Sequence, residues 1–141
     1  MEIYRKKLET IADCLRKLSE IRKENSTLEK YRNSWKDRDA AERNLQKTAE
    51  AIIDFGKMLI AERKLRSPGN NREVFLILEE NALFPSEYIA LMDKMIGMRN
   101  LIVHGYNRID DAIVYAILRK NLGDIKKVKS CLERLLPQGK G

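Results

Sequence analysis

A chain of 141 residues has room for one domain with a single buried core, and 43% hydrophobic with 35% charged residues describes a folded chain, neither disordered nor in need of disulfide staples. The net charge is +7, and most of it lies at the end: from Leu118 to Gly141, Arg119, Lys120, Lys126, Lys127, Lys129, Arg134 and Lys140 stand against only Asp124 and Glu133. Such a segment suits a phosphate-rich partner such as RNA, or equally a plain solvated face.

The start, "MEIYRKKLET", lacks the apolar stretch of a signal peptide, and no later run reaches the length of a membrane span, so a cytoplasmic protein without membrane segments is expected. In the first helix Leu8, Ile11, Leu15, Leu18 and Ile21 recur at spacings of three and four, an apolar stripe about five to six turns long. Ser26 to Glu29 then reads as a capping box with the serine as cap, opening a short second helix. Leu45, Ala49, Ile52, Phe55 and Leu59 line a long third helix, expected from about Asp39 to Leu65, interrupted only by Gly56 and ended by "SPGNN" at Ser67 to Asn71.

"REVFLILEENAL" supplies a fourth helix, Pro85 punctuates it, and a new start is expected near Ser86. Ile89, Leu91, Met92, Met95, Ile96 and Met98 carry this fifth helix forward, and its methionines read as core packing. A last helix is expected from Asp110 or Asp111, whose carboxylates suit a helix N-terminus, with Leu118, Leu122, Ile125, Val128, Leu132 and Leu135 on its buried side. No segment has the pattern of a strand. The fold class is therefore all-α, an up-and-down bundle of four to six helices, read as a single domain over residues 1–141 with a flexible tail from about 137 to 141. Cys14 and Cys131 lie far apart at helix-type positions without a CxxC pattern, and read as reduced, buried thiols with no metal site.

One stretch stands apart, "MRNLIVHGYN" from Met98 to Asn107, which holds the single histidine of the chain. Arg99 falls near the end of an apolar helix, and five residues at about 100° each would set His104 about 140° around from it on an unbroken helix. Gly105 is the residue type that takes a left-handed conformation past a helix end, so a turn there can fold His104 and Tyr106 back toward Arg99. A bland alternative stands beside this one: an arginine and a histidine at a helix C-terminus can serve only to balance the carbonyl dipole.

"RNLIVHGY" resembles the R-x4-6-H signature of the HEPN superfamily, with the polar Asn100 directly after the arginine. R-x4-H-x-Y, here Arg99, His104 and Tyr106, is similar to the HepT-like branch, once known only as domain of unknown function 86. "AAERNLQKTAEAIIDFGKMLIAE" and "MIGMRNLIVHGYNRIDDAIVYAIL" resemble the two recurring blocks of that family, so the likeness spans about Asp39 to Leu122. It implies an RNA endonuclease that needs no metal or other cofactor, in which the ribose 2′-hydroxyl attacks the adjacent phosphate and leaves a cyclic phosphate and a 5′-hydroxyl. In that chemistry His104 would move the proton, because imidazole titrates near neutral pH, and Arg99 would stabilise the charge on the phosphorane. Asn100 and Tyr106 would support them.

A single histidine leaves either the acid or the base role short: either Tyr106 or Arg99 assists, or a second copy of the motif comes from another subunit, and the family habit of pairing two motifs across one cleft implies the second, a symmetric homodimer. The resemblance further implies an antitoxin partner, a nucleotidyltransferase of the MNT type, which silences the nuclease by AMPylation of the tyrosine matched by Tyr106; added bulk and negative charge there would repel an RNA phosphate. Two other readings remain at the level of sequence. The chain can be a non-catalytic accessory or substrate-binding subunit of a nucleotidyltransferase, or a helical scaffold without a site.

Overall fold

The stripe on the first helix does what its spacing predicts: α1 (Glu2–Glu24) buries Tyr4, Leu8, Ile11, Cys14, Leu18 and Ile21 along one side. It lies antiparallel to α3 (Trp35–Glu62), because the start of one meets the end of the other. Tyr4 packs edge-on against Phe55 with centroids 5.0 Å apart, Lys7 pairs with Asp54 at 3.1 Å, and at the opposite end the amide of Asn25 donates to Asp37 at 2.8 Å. The computed structural model describes residues 1–105 and 109–137, and among these there is no strand.

Between those two helices comes α2 (Leu28–Arg32), whose cap is Thr27 and not Ser26: Thr27 holds an extended backbone and its hydroxyl accepts from the Lys30 N–H at 3.1 Å. The cap moves by one residue because Thr27, not Ser26, directly precedes the first helical residue, Leu28. Ser34 caps α3 in the same way, accepting from the Asp37 N–H at 3.3 Å, so that helix begins four residues earlier than the apolar stripe predicts. Leu45, Ala49, Ile52, Phe55 and Leu59 are all fully buried.

Proline and glycine do not end α3. The N–H of Leu65 bonds to the carbonyl of Ile60 at 3.0 Å and that of Lys64 to Ala61 at 3.1 Å, with Lys64 at φ 55°, which is the Schellman arrangement formed three residues before Ser67. The next helix, α4 (Asn71–Glu80), is capped by Asn70 and ends identically: Leu83 bonds back to Leu78 at 2.8 Å, Ala82 to Glu79 at 2.9 Å, and Ala82 sits at φ 58°. Pro85 and a 3-10 turn at Ser86–Tyr88 lead into α5 (Ile89–His104), which lies against both α3 and α4 and buries Leu91, Met92, Met95, Ile96 and Met98.

The expected last helix is two helices, α6 (Asp111–Lys120) and α7 (Leu122–Arg134), which brings the described α-helices to seven, beyond the four to six expected. Asn121 makes the break: its N–H closes α6 on the Ile117 carbonyl at 2.8 Å, and its side-chain amide donates to Asp124 at 3.3 Å in the first turn of α7. The apolar repeat runs through the bend, Leu118 and Leu122 both being buried, which is why it reads as one helix. The bend lets α6 pack on α2 while α7 packs on α1. Cys14 is buried, Cys131 only partly, and both are free thiols. The expected tail lies outside the described residues from position 138 onward. No described helix is long and apolar enough to cross a membrane.

Candidate active site

The site forms where the C-terminal half of α5 passes α3. Arg99 is three-quarters covered, and its guanidinium reaches across to Glu50 of α3: Nε and Nη2 donate to Oε2 of Glu50 at 3.2 and 3.1 Å. On the other side Nη1 donates to the side-chain oxygen of the neighbouring Asn100 at 3.2 Å. Two side chains from two helices thus claim three of the five guanidinium N–H groups and fix its plane. The pair is partly sheltered, so it is worth more than an exposed surface bridge.

His104 is the last residue of α5 and is exposed. The predicted fold-back of His104 toward Arg99 does not occur, because α5 stays helical through His104 and the reversal begins at Gly105. There φ is 64°, and the glycine N–H still closes a helical bond on the Leu101 carbonyl at 3.0 Å. Counting from Arg99, Val103 lies about 40° around the helix, Asn100 about 100° and His104 about 140°, so the motif spreads over an arc of more than a third of the circumference, with a rise of about 7.5 Å from arginine to histidine. Asn100 is the i, i+4 neighbour of His104 and is bonded to Arg99, which places it between the two.

Tyr106 lies outside the described residues, as do the two positions after it. On their far side the chain is anchored again. Asp110 caps α6 by accepting from the Ala112 N–H at 2.9 Å, and Asp111, largely buried, pairs with Arg38 of α3 at 3.6 Å. Glu42 and the fully buried Tyr31 belong to the same acidic neighbourhood. Burial, then the charges of Asp111 and Asp39, raise the Glu42 carboxyl, while burial and the Glu42 charge push the Tyr31 phenol far above its ordinary value. The described residues on either side of Tyr106 are therefore fixed to the bundle, Gly105 through α5 and Asp110 and Asp111 through α6.

Leu101 and Val103 stand 43% and 44% exposed in the same turn as the exposed histidine, on different sides of the helix, whereas Leu91, Met92, Met95, Ile96 and Met98 are buried. A concavity at the junction of α1, α2 and α3, lined by Asn25, Asn33, Asp37 and their neighbours, contains none of the motif residues. No group of three or more His, Cys, Asp or Glu side chains with the geometry to hold a metal occurs among the described residues. Sequence reasoning singled out Arg99, Asn100 and His104 but not Glu50, the side chain that holds Arg99. Its one local signal is a charge inside "TAEAII", a stretch whose other members are all buried.

Known proteins share this arrangement of helices. A toxin of the HEPN class from Shewanella oneidensis, solved tri-AMPylated and in complex with an MNT antitoxin, superposes with a TM-score of 0.85 at 24% identity, covering 95% of this chain and 98% of the toxin. YutE, a cytosolic Bacillus subtilis protein of unknown function, superposes with a TM-score of 0.76 at 18% identity over 96% of this chain and 95% of its own. In sequence, the chain is 26% identical over 126 residues to a Shewanella oneidensis protein named mRNA nuclease HepT, which covers 89% of this chain and 92% of that protein. It is 30% identical over 113 residues to one from Aphanizomenon flos-aquae named tRNA nuclease HepT, covering 80% and 76%. The family model described as ribonuclease HepT-like matches residues 11–132, from the first stripe to the end of the last, and the chain belongs to that family.

Proposed function

We propose that the chain is a metal-independent endoribonuclease, the toxin of a toxin–antitoxin pair, acting through Arg99 and His104 and silenced by AMPylation of Tyr106. The observation that carries this reading is the guanidinium of Arg99, held by Glu50 and Asn100 on the same arc of α5 that ends in the exposed His104, in a chain whose relatives are named RNA nucleases. Two guanidinium N–H groups remain beyond those three bonds and can meet phosphate oxygens in the paired geometry that suits arginine.

In the reaction, the imidazole of His104 takes the proton of the ribose 2′-hydroxyl as that oxygen bonds to phosphorus. Arg99 stabilises the charge on the non-bridging oxygens, and the 5′-oxygen leaves with a proton from a second group. That group is His104 of a second copy. Val103, exposed on the arc between Arg99 and Asn100, gives such a copy an apolar contact, and a two-fold axis beside it sets two arcs face to face. The other partner in this reading is a nucleotidyltransferase of the MNT type, which adds AMP to Tyr106 between α5 and α6.

Arg99→Ala and His104→Ala should each abolish RNA cleavage in the presence of a chelator while helical content stays intact, and His104→Ala subunits mixed into wild type should depress activity beyond dilution. Cleavage at the wild-type rate in either variant, or a requirement for added magnesium, would overturn the assignment. A chain inactive on every RNA yet tight in complex with a nucleotidyltransferase would instead favour the accessory-subunit reading.

A further inference from the structure

Glu50 is an odd residue for its place. From Thr48 to Ile53 every other member of the run is buried, and the two alanines beside Glu50 allow α3 to approach its neighbours closely. The Glu50 side chain keeps about a third of its surface exposed, so the carboxylate is only partly desolvated, and a hydrogen-bonded cation offsets that cost. Its partner is Arg99, 49 residues away in sequence, met through one oxygen, Oε2, at 3.1 and 3.2 Å.

The direction of grip matters more than the charge. Glu50 takes the edge of the guanidinium made by Nε and Nη2, and Asn100 takes Nη1. The N–H groups left over belong to the two terminal nitrogens, so the guanidinium is held by its side and offers its end. Asn100 alone could not do this, since it sits on the same helix as Arg99 and would move with it. Only α3 supplies a fixed external reference.

We infer that Glu50 is the positioning residue of the site, orienting the Arg99 guanidinium so that its terminal N–H groups face the scissile phosphate, an inference that rests on the ribonuclease reading. Glu50 is then a residue that never touches RNA and acts only through Arg99. Loss of Glu50 leaves the arginine charge in place but lets its plane swing, so the reaction slows while RNA binding is kept or strengthened, one negative charge having been removed near the phosphate.

The test uses the full-length chain with Glu50→Ala and with Glu50→Gln, the latter keeping size and an oxygen acceptor but not the charge. Single-turnover cleavage of one RNA should fall on the order of tenfold to a hundredfold in Glu50→Ala, the scale of loss that misplacing a catalytic group causes, and less in Glu50→Gln. The RNA concentration for half-maximal rate should stay unchanged or decrease. A merely structural role would not produce that split, and unchanged circular dichroism would show that the helices persist. Independently of any RNA, the nitrogen-15 cross-peak of the Arg99 Nε–H should be sharp and protected in wild type and should shift and broaden in both variants.

Wild-type rates in Glu50→Ala, a slowing that comes only from weaker RNA binding, or an Nε–H signal indifferent to the substitution would each overturn the inference. Absence of cleavage by the wild-type chain would remove the ribonuclease reading and the inference together. Cleavage by wild type with unaffected Glu50 variants would remove the inference alone.

Discussion

Gly56 sits in the middle of the long helix α3, where an alanine normally stabilises a helix by about 1 kcal/mol through propensity alone. Here the opposite is expected. A Cβ at Gly56 would lie 2.6 Å from Cγ1 of Val74 and 3.4 Å from Cδ1 of Leu78. Carbon atoms in contact prefer about 3.5–4.0 Å, so Val74 would have to retreat by about 1 Å. It cannot swing aside, because a helical valine has essentially one χ1 rotamer and both Val74 and Leu78 have no exposed surface. Overpacking of this kind costs about 1–3 kcal/mol, which outweighs the propensity gain and leaves Gly56→Ala destabilised by about 1 kcal/mol, or roughly 3–5 °C in Tm for a domain of this size.

Val74→Ala should reverse the sign. With Cγ1 gone, Gly56→Ala fills the space left behind and recovers its propensity, so the two changes should couple by about 2 kcal/mol. Urea unfolding of the four proteins, followed by circular dichroism with a common m-value, measures this cycle. A Gly56→Ala chain more stable than wild type, or strictly additive changes, would refute the argument that α3 and α4 are pressed together at this glycine.

Three other outcomes are expected from particular residues. Ala82→Gly should raise stability by about 0.5–1 kcal/mol in the same unfolding assay, since an alanine at φ 58° carries left-handed strain that exceeds the extra chain entropy of glycine. Glu42→Gln should raise Tm at neutral pH: a carboxyl whose folded pKa is raised favours the protonated folded state, so its contribution falls as pH rises from its ordinary value through the folded one, and the gain should vanish below that ordinary value in a pH series of melts. Incubation with a cognate nucleotidyltransferase, ATP and magnesium should add AMP to the wild-type chain and stop RNA cleavage, and intact mass should show no adduct on Tyr106→Phe; an adduct that persists in that variant refutes regulation at this tyrosine.

The helices were legible because their buried residues repeat every three or four positions, and the stripes of α1, α3 and α5 are buried almost position for position. Helix ends were less so. Lys64 and Ala82 close Schellman ends without the glycine that usually signals one, and Asn121 breaks a helix across which the apolar repeat is continuous. At the site, Arg99, Asn100 and His104 could be found because they are local to one another. Glu50 could not, since a contact between residues 49 apart leaves no trace in either neighbourhood beyond a lone charge among buried positions.

The bend at Asn121 also shapes how the molecule looks to an approaching polyanion. Had α6 run straight on, Lys126 and Lys129 would have been carried away from the first helix; because α7 folds back on it, they border the same shallow concavity as Arg16. Arg16 is tied to Asp13 and Glu20, and Lys129 to Glu133, so the field that this face sends outward is mostly that of Lys126, and it reaches about 10 Å at 0.1 M salt. Under the proposed ribonuclease reading, ionic strength would then act on the capture of RNA through this face, whereas turnover would rest on Arg99 and His104 of α5, so the rate of encounter and the rate of chemistry would change independently of one another.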